Sequence, residues 1–89
     1  MHEVHWLPRS LNQLASIWQE ATEKQKINDC VEAIDYRLAR DPVGQSESRR
    51  GNRRILFEAP LAVLLVILKN RRTVVVQSVW RFNKRRRKP

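Results

Sequence analysis

The chain is poor in the residues that build cross-linked, metal-bound or nucleotide-binding sites. Its 89 residues include one cysteine and two glycines. Cys30 alone cannot form an internal disulfide, which suits a reducing cytoplasm. Gly44 and Gly51 cannot make a phosphate-cradling loop, and no His/Cys/Asp cluster has the spacing of metal ligands. We therefore expect neither a bound metal nor a small-molecule cofactor.

Long hydrophobic stretches are also missing. The longest apolar run, Leu61–Leu68, has eight residues, whereas a membrane-spanning helix needs about twenty. Residues 1–6 lack the basic region and apolar stretch of a signal peptide. The length is that of one small domain. These features predict a cytoplasmic protein that has no contact with a membrane.

Acidic residues are scarce in the second half of the chain. Residues 1–44 carry five Lys/Arg and seven Asp/Glu, whereas residues 45–89 carry thirteen Lys/Arg and two Asp/Glu. Such asymmetry predicts a basic surface that faces a polyanion, either nucleic acid and the ribosome or an acidic protein. Residues 83–89 form a basic tail with no apolar anchor, which we expect to be disordered. The folded domain should comprise residues 1–82.

The first half of the sequence predicts one strand and two helices. Residues 2–7 form a short strand that Pro8 ends. Ser10 with Gln13 makes a capping-box pattern, which predicts the start of a helix. Thr22 with Gln25 repeats the pattern and predicts a second helix, which ends before Pro42. Apolar residues recur at helical spacing in both segments, so the helices should pack as a hairpin on a flat partner.

The second half supplies that partner as three strands. They cover residues 53–57, 61–68 and 73–82, with short turns between them, so neighbouring strands should be antiparallel. The sequence thus predicts an α+β, two-layer β-α-α-β-β-β domain in which a helical hairpin packs on a mainly antiparallel sheet. Trp80 can stack on a base, but its alternation with Val76 and Phe82 favours a position in the core. The strand at 61–68 is apolar on both faces, so either sheet curvature or a partner must cover its second face.

Three segments resemble the RelE/ParE superfamily of toxins from bacterial type II toxin–antitoxin systems. They are HWLPRSLNQLASIW near the N-terminus, LARDPVGQSES at the end of the second helix, and NRRILFEAPLAVLLVI in the central hairpin. The resemblance extends from Val4 to Phe82. It implies a small toxin that is neutralised by a cognate antitoxin covering its sheet.

The superfamily has two main activities. RelE-like members cut mRNA in the ribosomal A site without a metal ion, and ParE-like members poison DNA gyrase without acting as nucleases. The resemblance therefore implies either a metal-independent endoribonuclease that acts on ribosome-bound mRNA or a protein–protein inhibitor of gyrase. An inactive member that serves as a binding module is the third possibility.

RNA cleavage without metal needs a base for the 2′-hydroxyl, a cation for the phosphorane and an acid for the leaving oxygen. Glu47 lies where some nuclease members keep a catalytic glutamate and is the candidate base. Arginine suits the phosphate, because its planar fork binds two oxygens and stays charged. Arg54 and Arg81 complete the catalytic candidates. The candidate RNA- or phosphate-binding residues are Arg49, Arg50, Arg53, Lys84 and Arg85.

Each candidate has a simpler interpretation. Glu47 can merely pair with a neighbouring arginine, and the arginine cluster can bind phosphate or an acidic partner without catalysis. The sequence also departs from the nuclease pattern, because residues 61–63 contain no arginine and residues 80–82 contain no histidine or tyrosine. A general acid is missing unless Arg81 or Lys84 stands in electrostatically, and this departure favours the gyrase alternative.

Overall fold

The structure, a computed structural model, describes residues 1–82. The basic tail at 83–89, with candidates Lys84 and Arg85, lies outside the described residues. The elements in chain order are β1 (Glu3–Trp6), α1 (Pro8–Glu20), α2 (Lys24–Arg40), α3 (Pro42–Gln45), β2 (Glu47–Ser48), β3 (Arg53–Glu58), β4 (Leu61–Leu68), a 3₁₀ turn (Lys69–Arg71) and β5 (Thr73–Arg81). Within residues 1–82, no helix has the length and apolar character needed to cross a membrane.

The predicted α+β architecture is confirmed. The sheet has the strand order β1-β5-β4-β3-β2, in which β1 pairs with β5 in parallel and all other neighbours are antiparallel. The sequence missed two short elements, α3 and β2, because four-residue and two-residue segments have no readable period. Both lie between the second predicted helix and the predicted strand at 53–57, directly before the arginine-rich turn.

The core lies between the helices and one face of the sheet. β4 occupies the centre, and Leu61, Val63 and Leu65 on its helix-facing side are fully buried. Helix α2 contributes a stripe at helical spacing: Ile27, Cys30, Ile34 and Leu38. Leu56, Val74, Val76 and Val79 complete the same cluster from the neighbouring strands. The chain itself therefore buries most of the unbroken apolar strand.

Helix α1 does not begin as the capping pattern predicted. It starts at Pro8, with Leu7 at the N-cap and no side-chain cap, because proline is well suited to the first helical position. Ser10 is fully buried in the first turn, and its Oγ lies 2.7 Å from the Leu7 carbonyl and 3.1 Å from that of Val76. Gln13 accepts a hydrogen bond from the backbone N–H of Val79 at 2.8 Å. These residues dock α1 against the edge of β5 that β1 leaves uncovered.

The second capping prediction is also wrong in detail. Helix α2 begins at Lys24 after the N-cap residue Glu23, and no side chain caps it. The predicted end before Pro42 is confirmed. Asp41 instead caps the short α3, where its Oδ1 accepts from the Gly44 N–H at 3.1 Å. A Cβ at Gly44 would lie 2.1 Å from the Asp41 carboxylate, so this close approach requires glycine.

The prediction that Trp80 lies in the core is wrong. A β-bulge shifts the register between β4 and β5, so that Leu65 pairs with Val76 whereas Leu64 pairs with Ser78. The extra residue, Gln77, reverses the inward and outward alternation along β5. Val79 consequently continues the buried row, and Trp80 faces the opposite side of the sheet with 37% of its surface exposed.

An arginine joins the helical layer to the edge of β3. Arg37 of α2 donates through Nη1 to the Phe57 carbonyl at 3.0 Å and to Glu58 Oε1 at 2.6 Å. Its Nε donates to Gln45 Oε1 at 2.7 Å. The Arg37–Glu58 pair is partly buried, with 30% of each side chain exposed. Arg37 therefore covers the part of β3 that extends beyond the two-residue strand β2.

Candidate functional face of the sheet

Within residues 1–82, no helix packs on the sheet face opposite the core, which is called the open face below. Strand alternation and register assign to it Arg53, Ile55, Phe57, Ala62, Leu64, Val66, Val75 and Trp80. Phe57 and Trp80 flank the small residue Ala62, with which both are paired. Phe57 is 41% exposed and also packs edge-on against Phe82, with 5.4 Å between the ring centroids. The open face thus offers accessible aromatic side chains.

Glu47 lies at the edge of the open face. It pairs with Ile55 across β2 and β3, and 64% of its side chain is exposed. Arg49 Nη2 donates to Glu47 Oε1 at 3.2 Å, and Arg49 Nη1 donates to the Ser48 carbonyl at 2.9 Å. The ion pair that formed the simpler interpretation of Glu47 is therefore present. It is exposed to solvent, so a bound anion can compete for Arg49 at little cost.

Arg54 occupies the other face of the sheet. Its Nε donates to Ser46 Oγ at 2.7 Å, and its Nη2 donates to the carbonyls of Ser46 at 2.9 Å and Val43 at 3.1 Å. Ser46 is buried, and its hydroxyl donates in turn to the Pro42 carbonyl. Arg54 therefore fixes the position of the segment from α3 to Ser46, which directly precedes Glu47. Because Glu47 pairs with Ile55 and Ser48 pairs with Arg54, Glu47 and Arg54 point to opposite faces.

Arg81 is exposed at the end of β5, where it pairs with Leu61. Arg54 pairs with Leu65 on the other side of β4. Four residues of β4 separate the two positions, which is about 13 Å along the strand. The structure therefore does not bring the two catalytic candidates Arg54 and Arg81 into one groove.

The remaining arginine candidates lie at the opposite end of the sheet from Arg81. Arg49 and Arg50 are in the β2–β3 turn, and Arg53 begins β3 on the open face. All three are exposed. The turn is closed by a hydrogen bond from the Arg49 N–H to the Arg53 carbonyl at 2.8 Å. Gly51 adopts a left-handed conformation with φ of 71°, which glycine reaches without strain.

Cys30 has the properties of a core residue. It is 6% exposed, and its Sγ donates to the Glu58 carbonyl at 2.9 Å. Burial raises the pKa of the thiol to about 11, and the charge of Glu58 adds to that effect. The thiolate is the nucleophilic form, so Cys30 is unreactive near neutral pH. Residues 1–82 contain no group of three or more His, Cys, Asp or Glu side chains placed to hold a metal ion.

The geometry thus brings together Glu47, Arg49 and Arg53 at one edge of the open face and separates Arg54 and Arg81 from them. Sequence reasoning gave no indication that Phe57 is exposed, and it favoured the core for Trp80. The exposure of Trp80 could not be predicted, because no residue type near Gln77 indicates the bulge that turns Trp80 outward.

By sequence, neither a protein-family model nor a curated protein matches the chain. Solved structures do match it. The toxin–antitoxin complex RelBE2 from Mycobacterium tuberculosis matches with a TM-score of 0.76, 17% identity and coverage of 90% of each chain. The chromosomal ParDE system from P. aeruginosa matches with a TM-score of 0.73 and 15% identity over 93% of this chain and 98% of the other. The isolated RelE toxin from E. coli matches with a TM-score of 0.67 and 10% identity over 96% and 88%.

The chain therefore has the RelE/ParE-like toxin fold that the sequence resemblance implied. The matches span nearly the whole of each chain. They include both RelE-named and ParE-named systems at similar scores. Fold similarity at this level of identity does not distinguish between the two activities.

Proposed function

We propose that the protein is the toxin of a type II toxin–antitoxin system and that it acts as a RelE-like, metal-independent endoribonuclease on ribosome-bound mRNA in the cytoplasm. The fold and the strongly basic second half support the proposal. The observation that carries the nuclease assignment is the exposed Glu47–Arg49 pair at the edge of an open sheet face with accessible aromatic residues.

The chemistry assigns separate roles to the two members of this pair. Glu47 accepts the proton of the 2′-hydroxyl as the 2′-oxygen attacks phosphorus. The bond from phosphorus to the 5′-oxygen then breaks, and a 2′,3′-cyclic phosphate and a 5′-hydroxyl are formed. Arg49 stabilises the negative charge that builds on the phosphorane oxygens. Water supplies the proton that the leaving oxygen takes up, because Arg81 lies at the opposite end of the sheet from Glu47.

Arg54 is proposed as a positioning residue instead of a phosphate ligand. Its hydrogen bonds to Val43 and Ser46 fix the segment that precedes Glu47. A catalytic carboxylate in a short edge strand needs such support, because small displacements of a general base cost large factors in rate. Arg54 thus acts on catalysis through the backbone position of Glu47.

Cell-free translation followed by primer extension tests the nuclease proposal. Wild-type protein should produce cleavage inside the coding region, and Glu47→Gln should reduce its rate about 10²- to 10⁴-fold, the usual contribution of general base catalysis. Glu32→Gln is the matched control, because Glu32 is an exposed glutamate of α2 and should not alter the rate. No cleavage by wild type would refute the nuclease, and equal rates for wild type and Glu47→Gln would refute the role of Glu47.

Inhibition of DNA gyrase is the second candidate function. The observation that favours it is the composition of the β5 end, where Trp80, Arg81 and Phe82 offer no group that readily gives up a proton. The sole tyrosine, Tyr36, is exposed on α2 in the other layer. Inhibition of supercoiling by purified protein that leaves mRNA intact would establish this alternative.

A cognate antitoxin is the proposed protein partner. The partly exposed aromatic residues of the open face give it an apolar surface to cover, and the basic turns attract an acidic chain. Expression of the protein alone should arrest growth, and co-expression of the short reading frame adjacent to its gene should restore it. Continued growth without that partner would favour an inactive binding module over both toxin activities.

A further inference from the structure

A small pocket lies between two turns at one end of the sheet. It has a volume of about 180 Å³, below the roughly 300–1,000 Å³ of pockets for drug-sized ligands. It therefore has room for a small group only. The lining residues are Val43, Ser48, Gly51, Asn52, Arg53, Arg54, Ile67 and Lys69. No carboxylate is among these described lining residues, and three of them are cations.

The sheet topology explains why two distant stretches of sequence meet here. Arg53, the first residue of β3, pairs with Val66 near the end of β4. The turn before β3 and the turn after β4 consequently lie side by side. Lys69 begins the second turn and reaches the pocket that the first turn forms. By sequence alone, Lys69 belongs only to the short turn between the strands at 61–68 and 73–82.

The two turns concentrate positive charge at this end, called the basic end below. Six of the thirteen Lys and Arg residues in the described part of the chain lie there, and all six are exposed: Arg49, Arg50, Arg53, Lys69, Arg71 and Arg72. The nearby carboxylates are few. Glu47 is paired with Arg49, Glu3 contacts His5, and Asp41 accepts the Gly44 N–H.

The pocket has the donors that a phosphate group needs. Arg53 and Lys69 supply positive charge, Ser48 adds a hydroxyl, and the left-handed Gly51 exposes turn backbone. A phosphate presents several acceptor oxygens in different directions, which matches donors that converge from two turns. Arginine is the usual residue for contact with the phosphates of nucleic acids.

We propose that this pocket binds one backbone phosphate of a single nucleic-acid strand, and that Arg50, Arg71 and Arg72 contact the neighbouring phosphates. The pocket lies beside Glu47 but is a separate anchoring site, because neither member of the proposed catalytic pair is among its lining residues. A regularly charged strand fits it better than an acidic protein, because the cations extend continuously over two adjacent turns. The inference rests on the proposed function only for the identity of the strand as RNA.

The test measures binding without cleavage. A short fluorescent 2′-O-methyl oligoribonucleotide has no free 2′-hydroxyl to attack phosphorus, so it cannot be consumed. Its affinity for the full chain is measured by anisotropy across a range of salt concentrations. For single strands, the slope of log K against log salt changes by about 0.7 for each phosphate contact. Lys69→Gln and Arg71→Gln should each weaken binding and flatten the slope by about that amount.

Lys26→Gln is the matched control. Lys26 is exposed in the first turn of α2, where it pairs with Glu23, and its substitution removes the same charge. It should leave the slope unchanged. Circular dichroism of all three variants verifies that they are folded, as expected for exposed positions.

Two results would overturn the assignment. One is either a salt slope for Lys69→Gln and Arg71→Gln equal to that of Lys26→Gln, or the absence of any measurable binding of the oligonucleotide by wild type. The other is stronger competition by polyglutamate than by the oligonucleotide at equal charge, which would assign the basic end to an acidic protein.

The binding experiment and the cleavage experiment test the phosphate site and the nuclease activity separately. If wild type cleaves mRNA while the Lys69 and Arg71 variants bind the oligonucleotide as the control does, phosphate binding at the basic end is refuted and the nuclease activity remains. If wild type does not cleave mRNA but the salt slope of these two variants flattens as predicted, the nuclease activity is refuted and the phosphate site remains.

Discussion

Two adjacent arginines on β3 show how differently the two faces of the sheet use the same residue type. Arg54 points to the helical side, where it donates three hydrogen bonds to α3 and the residue after it. Arg53 points to the open face and is exposed. A run of arginines in a sequence therefore need not be one functional unit. Strand alternation divides this run into an internal clamp and a surface available to ligands.

The largest difference between the two faces should be in the free energy of unfolding of variants at the neighbouring apolar residues of β3. Leu56 is fully buried on the helical side, whereas Ile55 lies on the open face and is partly buried. Leu56→Ala should lower the free energy of unfolding by about 2–5 kcal/mol, because it leaves a cavity in the core. Ile55→Ala should cost clearly less. Urea denaturation measures both, and equal losses would mean that the open face is covered as fully as the core.

A pH-dependent effect on stability should arise from Cys30 on the helical side of the sheet. Because the pKa of Cys30 is raised from 9.0 to about 11, the unfolded thiol ionises before the folded one. The stabilisation is complete below pH 9 and is lost as the pH rises to about 11. Wild type should therefore lose on the order of 2–3 kcal/mol more than Cys30→Ala over this interval. Parallel stability curves for the two proteins would show that Cys30 is accessible to water.

The exposed aromatic end of the open face should affect binding more than stability. Trp80→Ala should weaken binding of the 2′-O-methyl oligonucleotide by about 1–3 kcal/mol if the indole stacks on a base. Trp18→Ala is a close control, because Trp18 of α1 is 38% exposed and Trp80 is 37% exposed. Anisotropy titrations compare the two. Equal affinities would remove Trp80 from the nucleic-acid surface.

The smallest predicted difference is between the stability changes caused by replacing Arg54 and by replacing Arg53. Arg54→Met should destabilise the fold by about 1–2 kcal/mol, because carbonyl groups around Ser46 lose charged hydrogen-bond donors. Arg53→Met should stay within about 0.5 kcal/mol of wild type, as is usual for exposed positions. Thermal unfolding measures both changes. A reversed order would contradict the division between clamp and ligand surface.

The part of the fold that follows from local pattern could be predicted from sequence. Apolar spacing gave both long helices, and the Asp41-Pro42 step marked the end of α2. The helix starts were wrong, because capping patterns are short and Pro8 is the better first residue of a helix. The assignment of Trp80 was wrong, because the bulge at Gln77 arises from pairing between strands.

The candidate site was predictable only as a set of charges. The sequence indicated which residues are basic, but the side of the sheet on which each lies depends on register. Glu47 and Arg54 are separated because β2 pairs Ser48 with Arg54, and this two-residue strand has no sequence signal of its own. Lys69 joins the basic end through a contact between turns that are distant in sequence. Long-range pairing of this kind cannot be read from spacing.

The hydrogen bond from Arg37 to the Phe57 carbonyl has a consequence for solubility. An eight-residue apolar strand such as β4 is the kind of segment that promotes cross-β assembly when its edge is free. In the fold both edges of β4 are paired, and the outer strands are only four and two residues long. Arg37 occupies the carbonyl of β3 that β2 leaves open. A charged side chain thus blocks the edge at which another chain would begin to add strands.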